Sequence, residues 1–419
     1  MHHPSRAAEL PELLSRLAAL RPRVVCDPDP SGPPSPLRTA KLAWAAIEPG
    51  ATHHVVFQDD IHPVAEIAQD LLAAVAARPD HGISLYVNWN SPQNSYLVRR
   101  SAALGSPWAP LSPREYTPTL GLVLPAGAAA DLAAYLSTLP DHLRDDDEMV
   151  TLFCRGAGIP VVAAVPHLLD HGGDRSLAGN DNHGSRHATV FRPERRTGRG
   201  HWTPEPTVAE LPARQPGSGP APRYAVELTD STCRIRFVLA GVDEPIEHPL
   251  GWYWYDWCAL LGIDRDRVVD SWRAVVSPPT SLPGAGPFAT TGDHAALGLE
   301  LWAACYLLGA DAAGLAEGRD VTGTAIAAHA TATHAATAAH ATPTHAATAA
   351  RATADLARKA VGSWVASGLG VRDHELLGAE ERRGLVELGM AALDRGWRDR
   401  AAGPGHRPGT RSGLEQVHA

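Results

Sequence analysis

The sequence predicts an α/β domain in residues 1–194, followed by a mostly helical accessory domain in residues 224–400. Short apolar runs alternate with amphipathic stretches over residues 1–192, a pattern typical of a mixed sheet flanked by helices. Residues 195–223 are rich in proline and glycine, which predicts a linker. The 419 residues suffice for two or three domains of roughly 100–200 residues, and 44% hydrophobic residues allow real cores.

The hydrophobic pattern predicts the elements of the first domain in order. Helical periodicity predicts helices at residues 7–20, 37–47, 65–77, 127–136 and 148–156. Short apolar runs predict strands at residues 23–26, 53–57, 83–87, 119–124 and 161–165. In the second domain, alternation over residues 224–239 predicts a β-hairpin that turns near Asp230 and Ser231. The aromatic-rich segments 251–257 and 299–308 predict helices that form a core or an oligomer interface, or that line an acceptor groove.

Composition excludes several classes of protein. Lys and Arg number 37 against 46 Asp and Glu, and the net charge of −9 argues against a nucleic-acid partner. No uninterrupted apolar run reaches about 18 residues, so we expect no membrane span. The first residues lack the pattern of a signal peptide. Five scattered cysteines predict neither a disulfide framework nor a cysteine zinc site, and together these features favour the cytoplasm.

Residues 331–352 contain two copies of an 11-residue Ala/Thr/His repeat. The nearby histidines are separated by five, six and five residues, which does not align them on one helical face. They are His329, His334, His340 and His345. We therefore favour a low-complexity linker or a solvated helix over a metal site. Residues 401–419 are predicted to be a disordered tail.

Asp59 and Asp60 follow the predicted strand at residues 53–57. Ligands bind at the carboxyl ends of strands in α/β sheets, and Mg²⁺ is commonly held by one or two carboxylates together with substrate phosphates. This pattern predicts a divalent-cation site. The alternative is that the two aspartates cap a helix that begins near Pro63.

Two further segments carry candidate chemistry. The acids at residues 145–148 open a helix, where clustered carboxylates raise one another's pKa and suit a general base. Capping and the helix dipole offer the alternative explanation. Residues 165–177 follow a strand and contain His171, which could complete a metal shell or lie on the surface.

Taken in order, these motifs resemble those of nucleotide-sugar glycosyltransferases with the A-type fold. The resemblance is to the bacterial lipopolysaccharide-type and procollagen-type family 25 group and its actinobacterial relatives, and it covers residues 1–192. The matching positions are Gln58-Asp59-Asp60, Asp146-Asp147, Pro166, Leu168, His171 and Ser176-Leu177.

The resemblance implies an A-type mixed sheet and a nucleotide-sugar donor bound through Mn²⁺ or Mg²⁺. Asp60 and His171 would ligate the metal, and Asp59 would contact the donor ribose or the metal. Asp147, or Asp146, would deprotonate the hydroxyl of an unknown acceptor. The remaining nucleotide contacts would come from Asp27 and its loop, Arg38, Lys41, and the turn that carries Ser5 and Arg6. Arg38 and Lys41 could equally be solvated charges on the outer face of a helix.

The chain departs from the family pattern in two places. Gln58 replaces the first acid of the motif, and no strand precedes the turn at residues 3–6, so the first strand is expected to be missing or encoded upstream. We therefore expect a metal-dependent glycosyltransferase, with a non-catalytic binding or scaffold protein or a metal-dependent hydrolase as alternatives. Residues 86–90 could hold a sugar, unless Trp89 belongs to the core.

Overall fold

The computed structural model describes residues 1–140, 142–172, 184–193, 197–211, 223–238, 250–277, 288, 294–317 and 345–402. A five-stranded mixed sheet with strand order β1-β5-β3-β6-β4 forms the centre of the N-terminal region. Strands β3 and β6 are parallel and the other pairs are antiparallel. The strands are β1 (His53–Phe57), β3 (Gly82–Ser84), β4 (Trp108–Pro110), β5 (Gly121–Pro125) and β6 (Val161–Ala164).

A separate two-stranded ribbon pairs β2 (Ile61–Pro63) with β7 (Leu169–His171) in antiparallel register. The backbone amides of Leu168 and Leu169 both donate to Leu85 O, which fastens the ribbon to the end of β3. Sequence periodicity did not predict this ribbon, because three-residue strands are too short to show an alternating pattern.

Six helices accompany these strands. They are α1 (Leu10–Arg16), α2 (Pro36–Trp44), α3 (Ile67–Ala77), α4 (Pro92–Ala103), α5 (Ala126–Ser137) and α6 (Asp146–Gly156). Five of the six were predicted to within a few residues, and the mixed α/β class with a helical C-terminal region is confirmed. Helix α4 was missed because it buries polar as well as apolar side chains and so lacks an amphipathic pattern.

The predicted buried strand at residues 23–26 is wrong. Val24 and Cys26 are exposed, and the segment contributes a single parallel bridge between Cys26 and His2. His2 N donates to Val25 O, and Asp27 N donates to His2 O. One bridge to a short neighbouring segment does not extend into a ladder, so the apolar run stays at the surface.

The C-terminal region begins with the predicted hairpin, β8 (Arg223–Thr229) and β9 (Thr232–Val238), to which β10 (Trp252–Tyr253) adds a third strand. Asp230 and Ser231 both have positive φ, 49° and 58°, as a two-residue hairpin turn requires. The helices that follow are α7 (Trp254–Trp257), α8 (Arg265–Val276), α9 (Ala295–Ala316), α10 (His345–Ser367), α11 (Val371–Leu376) and α12 (Ala379–Ala401).

Among the described residues, one helix, α9, is long and apolar enough to cross a membrane by length and composition. The structure buries 83% of its most apolar window. It packs against α12, and Gly309 and Gly396 allow the two backbones to meet, since a Cβ atom at either position would lie 2.0 Å from a carbonyl oxygen of the other helix.

Helix α4 joins the two regions. Tyr96 Oη donates to Asp311 Oδ2 on α9 over 2.7 Å, and Arg99 Nε donates to Ser363 Oγ on α10 over 3.2 Å. Within the predicted linker, Trp202 and Ala209 are buried, and Trp202 packs against Trp108. The contacts of α4 connect the N-terminal and C-terminal regions on either side of this segment.

Candidate functional site

A cleft of about 1110 Å³ opens beside the ends of β1 and β3 and the first turn of α6. Eight of the nine predicted site residues line it: Arg6, Asp27, Arg38, Asp59, Asp60, Asp146, Asp147 and His171. The ninth, Ser5, does not belong to the lining; its side chain is exposed and bonds to His3 Nδ1 over 2.7 Å. Residues from distant parts of the chain therefore converge on one surface.

The β2–β7 ribbon brings Asp60 and His171 together. Ile61 of β2 pairs with His171 of β7, and Gly172 N donates to Asp60 O over 2.7 Å. Asp60, which precedes β2, therefore lies beside the end of β7. The side chains of Asp60 and His171 approach to 3.4 Å between His171 Nε2 and Asp60 Oδ2. The alternative that these aspartates cap a helix near Pro63 is wrong, because residues 61–63 form β2 and α3 begins at Ile67.

The geometry of this pair fits two ligands of one divalent ion. Ligands placed about 2.1 Å from an octahedral ion lie about 3 Å apart, close to the observed separation. Asp60 Oδ1 is buried without a hydrogen-bond partner, and burial lowers the pKa of His171, which favours the neutral imidazole that metals require. Asp60 and His171 are two side chains, and within the described ranges no group of three or more His, Cys, Asp or Glu side chains could hold an ion.

Asp59 fastens the N-terminal segment to the end of β1. Its Oδ2 accepts from His2 Nδ1 over 2.9 Å and from His3 N over 2.7 Å, while its Oδ1 accepts from Arg6 Nη1 over 2.7 Å. Arg6 Nη1 also lies 3.0 Å from Asp60 Oδ2. Both Asp59 oxygens are thus engaged by the chain itself, and a ribose or a metal would have to share them with these donors.

Asp27 and Arg38 pair with each other on another wall of the cleft. The guanidinium donates to both carboxylate oxygens, over 2.7 and 2.8 Å, and this bonding lowers the pKa of Asp27. The alternative that Arg38 is solvated on the outer face of α2 is wrong, since only 16% of its side chain is exposed. Lys41 Nζ donates to Leu139 O over 2.6 Å, so it is also engaged within the protein.

The first turn of α6 carries two carboxyl groups whose pKa values lie above the ordinary value of an aspartate. Burial, reinforced by the Asp147 charge, raises the pKa of Asp146 to about 7, and burial raises that of Asp147 to about 6. Asp146 is 5% exposed and its Oδ2 has no hydrogen-bond partner, whereas Asp147 is half-buried. The N-cap residue Asp145 makes no side-chain bond to the helix, but Asp147 Oδ1 accepts from Glu148 N over 2.8 Å, so capping accounts for part of this arrangement.

Gln58 joins the strand end to α6. Its Nε2 donates to Thr119 Oγ1 over 3.4 Å, and the Thr119 side chain bonds to the Asp146 carboxyl. An aspartate at position 58 would lack the amide proton for this contact and would add a further negative charge near Asp146. Gln58 therefore links the end of β1 to the first turn of α6 by way of Thr119.

Sequence reasoning missed Arg186, which lines the cleft. Tyr86 Oη donates to Arg186 O, while Trp89 Nε1 and Asn90 Nδ2 donate to Ser185 O over 2.7 and 2.9 Å. The predicted sugar-holding segment 86–90 therefore positions residues 184–187. Trp89 is half-buried rather than part of the core, and no local pattern reveals contacts that span about a hundred residues.

Glu115 was also missed. Its carboxylate accepts from Ser91 Oγ and from the backbone amides of Gln93 and Asn94, and so caps α4 from a distant loop.

Some predicted features lie outside the described residues: Ser176, Leu177, residues 331–344 of the repeat and residues 403–419 of the predicted tail. Comparisons with protein-family models, with curated proteins and with solved structures find no match to this chain.

Proposed function

We propose that the protein is a metal-dependent glycosyltransferase with an A-type fold, which moves a sugar from a nucleotide-sugar donor to an acceptor hydroxyl. The observation that carries the proposal is the meeting of Asp60 and His171, 3.4 Å apart, in the same cleft as the carboxyl groups of Asp146 and Asp147. The first pair suits a cation and the second pair suits proton transfer. One cleft thus holds both kinds of group that this reaction needs.

Asp60 and His171 would hold Mn²⁺ or Mg²⁺, with the donor phosphates as further ligands. The bound ion would supply Lewis-acid stabilisation of the charge that develops on the leaving nucleoside diphosphate. Arg186 lines the same cleft and could add positive charge for the phosphates. The Asp27–Arg38 pair holds the loop at residues 27–36 against α2, where the nucleotide would contact backbone groups.

Asp147 is the better candidate for the general base. Its pKa of about 6 leaves it mostly ionised at pH 7, and its half-buried carboxylate reaches the cleft. Asp146, with a pKa of about 7 and almost no exposure, retains its proton more readily. A base with a pKa near the working pH balances availability against proton affinity, which makes Asp147 able to accept a proton from the acceptor hydroxyl.

Calorimetric titration with UDP- and GDP-sugars, with and without Mn²⁺, tests the donor site. We expect binding to depend on Mn²⁺ in the wild-type protein and to be lost in Asp60→Asn, since the amide is a weaker ligand than the carboxylate. Asp131→Asn, which replaces an exposed acid of α5 outside the cleft, is the control and should bind as the wild type does. Metal-independent binding, or no binding at all, would count against the proposal and favour the scaffold alternative.

Asp147→Asn tests the base. We expect donor binding to be preserved and turnover with an acceptor to fall by about 10²–10⁴-fold. Because the active form is the carboxylate, the wild-type rate should rise with pH through about 6 and then level off. Turnover at the wild-type rate in Asp147→Asn would contradict the assignment of Asp147 as the base. If the wild-type protein hydrolyses the donor and forms no acceptor-dependent product, the result would favour a hydrolase.

A further inference from the structure

Arg6 and His171 share one oxygen of Asp60. Arg6 Nη1 lies 3.0 Å from Asp60 Oδ2 and 2.7 Å from Asp59 Oδ1, and His171 Nε2 lies 3.4 Å from the same Asp60 oxygen. Side-chain exposure is 15% for Arg6 and 9% for each aspartate, so water screens these charges poorly. A guanidinium therefore already sits at the carboxylate that the proposed function assigns to a divalent ion.

We propose that Arg6 competes with the divalent ion for Asp60, so that the ion binds well only together with a diphosphate. An ion that arrives alone must displace the guanidinium from Asp60 or remain beside a like charge, and both cost free energy. A diphosphate offers the guanidinium a new anionic partner with matching geometry and offers the ion its missing ligands. This inference rests on the proposed function and adds an order to its binding steps.

Charge counting supports the same conclusion. The two carboxylates and the guanidinium sum to −2 + 1 = −1 in this cluster. A divalent ion alone would change this to −1 + 2 = +1, and a diphosphate alone would add negative charge to a negative cluster. When both bind, the positive ion and the negative diphosphate offset each other, so the guanidinium no longer faces an unneutralised cation and the carboxylates no longer face an unneutralised anion. Each should therefore raise the affinity for the other by the same factor, as linkage requires.

The test measures Mn²⁺ binding by the loss of the free-ion electron paramagnetic resonance signal, with and without UDP. The titrations are corrected for Mn²⁺ that UDP holds in buffer. Wild type, Arg6→Ala and Arg16→Ala are compared, because Arg16 pairs with Glu12 on the surface of α1, outside the cleft. Arg6→Lys provides a second variant that keeps the charge but replaces the planar guanidinium with a compact, more strongly hydrated ammonium.

We expect saturating UDP to raise the wild-type affinity for Mn²⁺ at least about tenfold. Arg6→Ala should bind Mn²⁺ alone about tenfold more tightly than wild type, with a much smaller effect of UDP, while Arg16→Ala should match the wild type with and without UDP. If circular dichroism shows that Arg6→Ala does not fold, Arg6→Lys should give an increase of about threefold.

Equal affinity of the folded Arg6 variants and the wild type for Mn²⁺ alone would overturn the competition, while tight binding with UDP would leave the proposed function standing. Failure of every folded protein to bind Mn²⁺ with UDP present would overturn both. The two failures are therefore distinguishable in one set of titrations.

Discussion

Asp146 is a carboxyl group whose ionisation opposes folding. Its native pKa of about 7 lies well above the value near 4 that an unfolded aspartate has. Between these values the native state keeps the proton and the unfolded state does not, so this residue makes the protein less stable as the pH rises from about 4 to about 7. The stability of the rest of the fold offsets the free-energy cost of burying this charge, and carboxyl groups with raised pKa values are common in clefts.

Replacing Asp146 with asparagine should stabilise the protein at neutral pH. The amide is nearly isosteric with the protonated acid and has no charge to bury, so the gain should be on the order of 2 kcal/mol at pH 7.5 and should shrink towards pH 4.5. Thermal melting of Asp146→Asn and wild type at both pH values measures it. Asp131→Asn, at an exposed acid of α5, is the control. A melting difference between Asp146→Asn and wild type that does not change with pH would contradict the prediction.

At the scale of elements, the β2–β7 ribbon determines where the imidazole of His171 lies. Leu169 packs onto β5 at Gly121, where a Cβ atom would come within 2.1 Å of Leu169 Cδ1 and 3.3 Å of Phe57 Cδ1. The absence of a side chain at this position lets the ribbon lie close to the sheet. His171 follows Leu169 by two residues on the same strand, so its position depends on this contact.

Gly121→Val should reduce the free energy of unfolding by about 1–3 kcal/mol and weaken Mn²⁺ binding in the presence of UDP, because the ribbon must move away from β5. Gly362→Ala in α10 is the matched control: no atom lies within 4 Å of its added Cβ, and it should be neutral or stabilise by up to about 1 kcal/mol. Chemical denaturation and the paramagnetic resonance titration measure the two effects. Unchanged Mn²⁺ binding by a destabilised Gly121→Val variant would contradict the prediction, because it would show that the site does not depend on the position of the ribbon.

At the scale of the whole molecule, α4 belongs to the buried interior of both regions. Tyr96 lies in the C-terminal core, and Val98 and Ala102 pack with Leu356 and Ala360 of α10. Arg99 is 1% exposed, and its guanidinium lies 4.9 Å from the Trp364 ring. Separation of the two regions would expose an apolar face and a buried cation at once.

A fragment of residues 1–193 should therefore fail to unfold cooperatively, although the full chain should show one transition. Thermal circular dichroism and size-exclusion chromatography measure this, and we expect the fragment to melt broadly and to self-associate. A chain ending at residue 402 is the control, because it keeps every described contact, and it should melt as the full chain does. A fragment that melts as sharply as the full chain would show that the α/β region folds independently.

Local pattern predicted much of the fold. Strand β1 was predicted at its observed residues, helices α2, α5 and α6 to within three residues, and the hairpin turn at Asp230 and Ser231. These features depend on periodicity, helix signals and turn chemistry over a few neighbouring residues. The same reasoning failed at residues 23–26, where an apolar run found only one bridging partner, and at α4, where buried polar groups removed the periodicity.

The sequence by itself therefore determined the α/β character, most of the elements and the identity of eight residues that line the cleft. Only the tertiary structure decided that Asp60 meets His171, that Arg6 lies on the same carboxylate oxygen, and that Gln58 reaches Asp146 through Thr119. The physical reason is that periodicity reports which face of an element is buried. Contacts between residues more than 50 positions apart depend on strand order and register, which no single segment encodes.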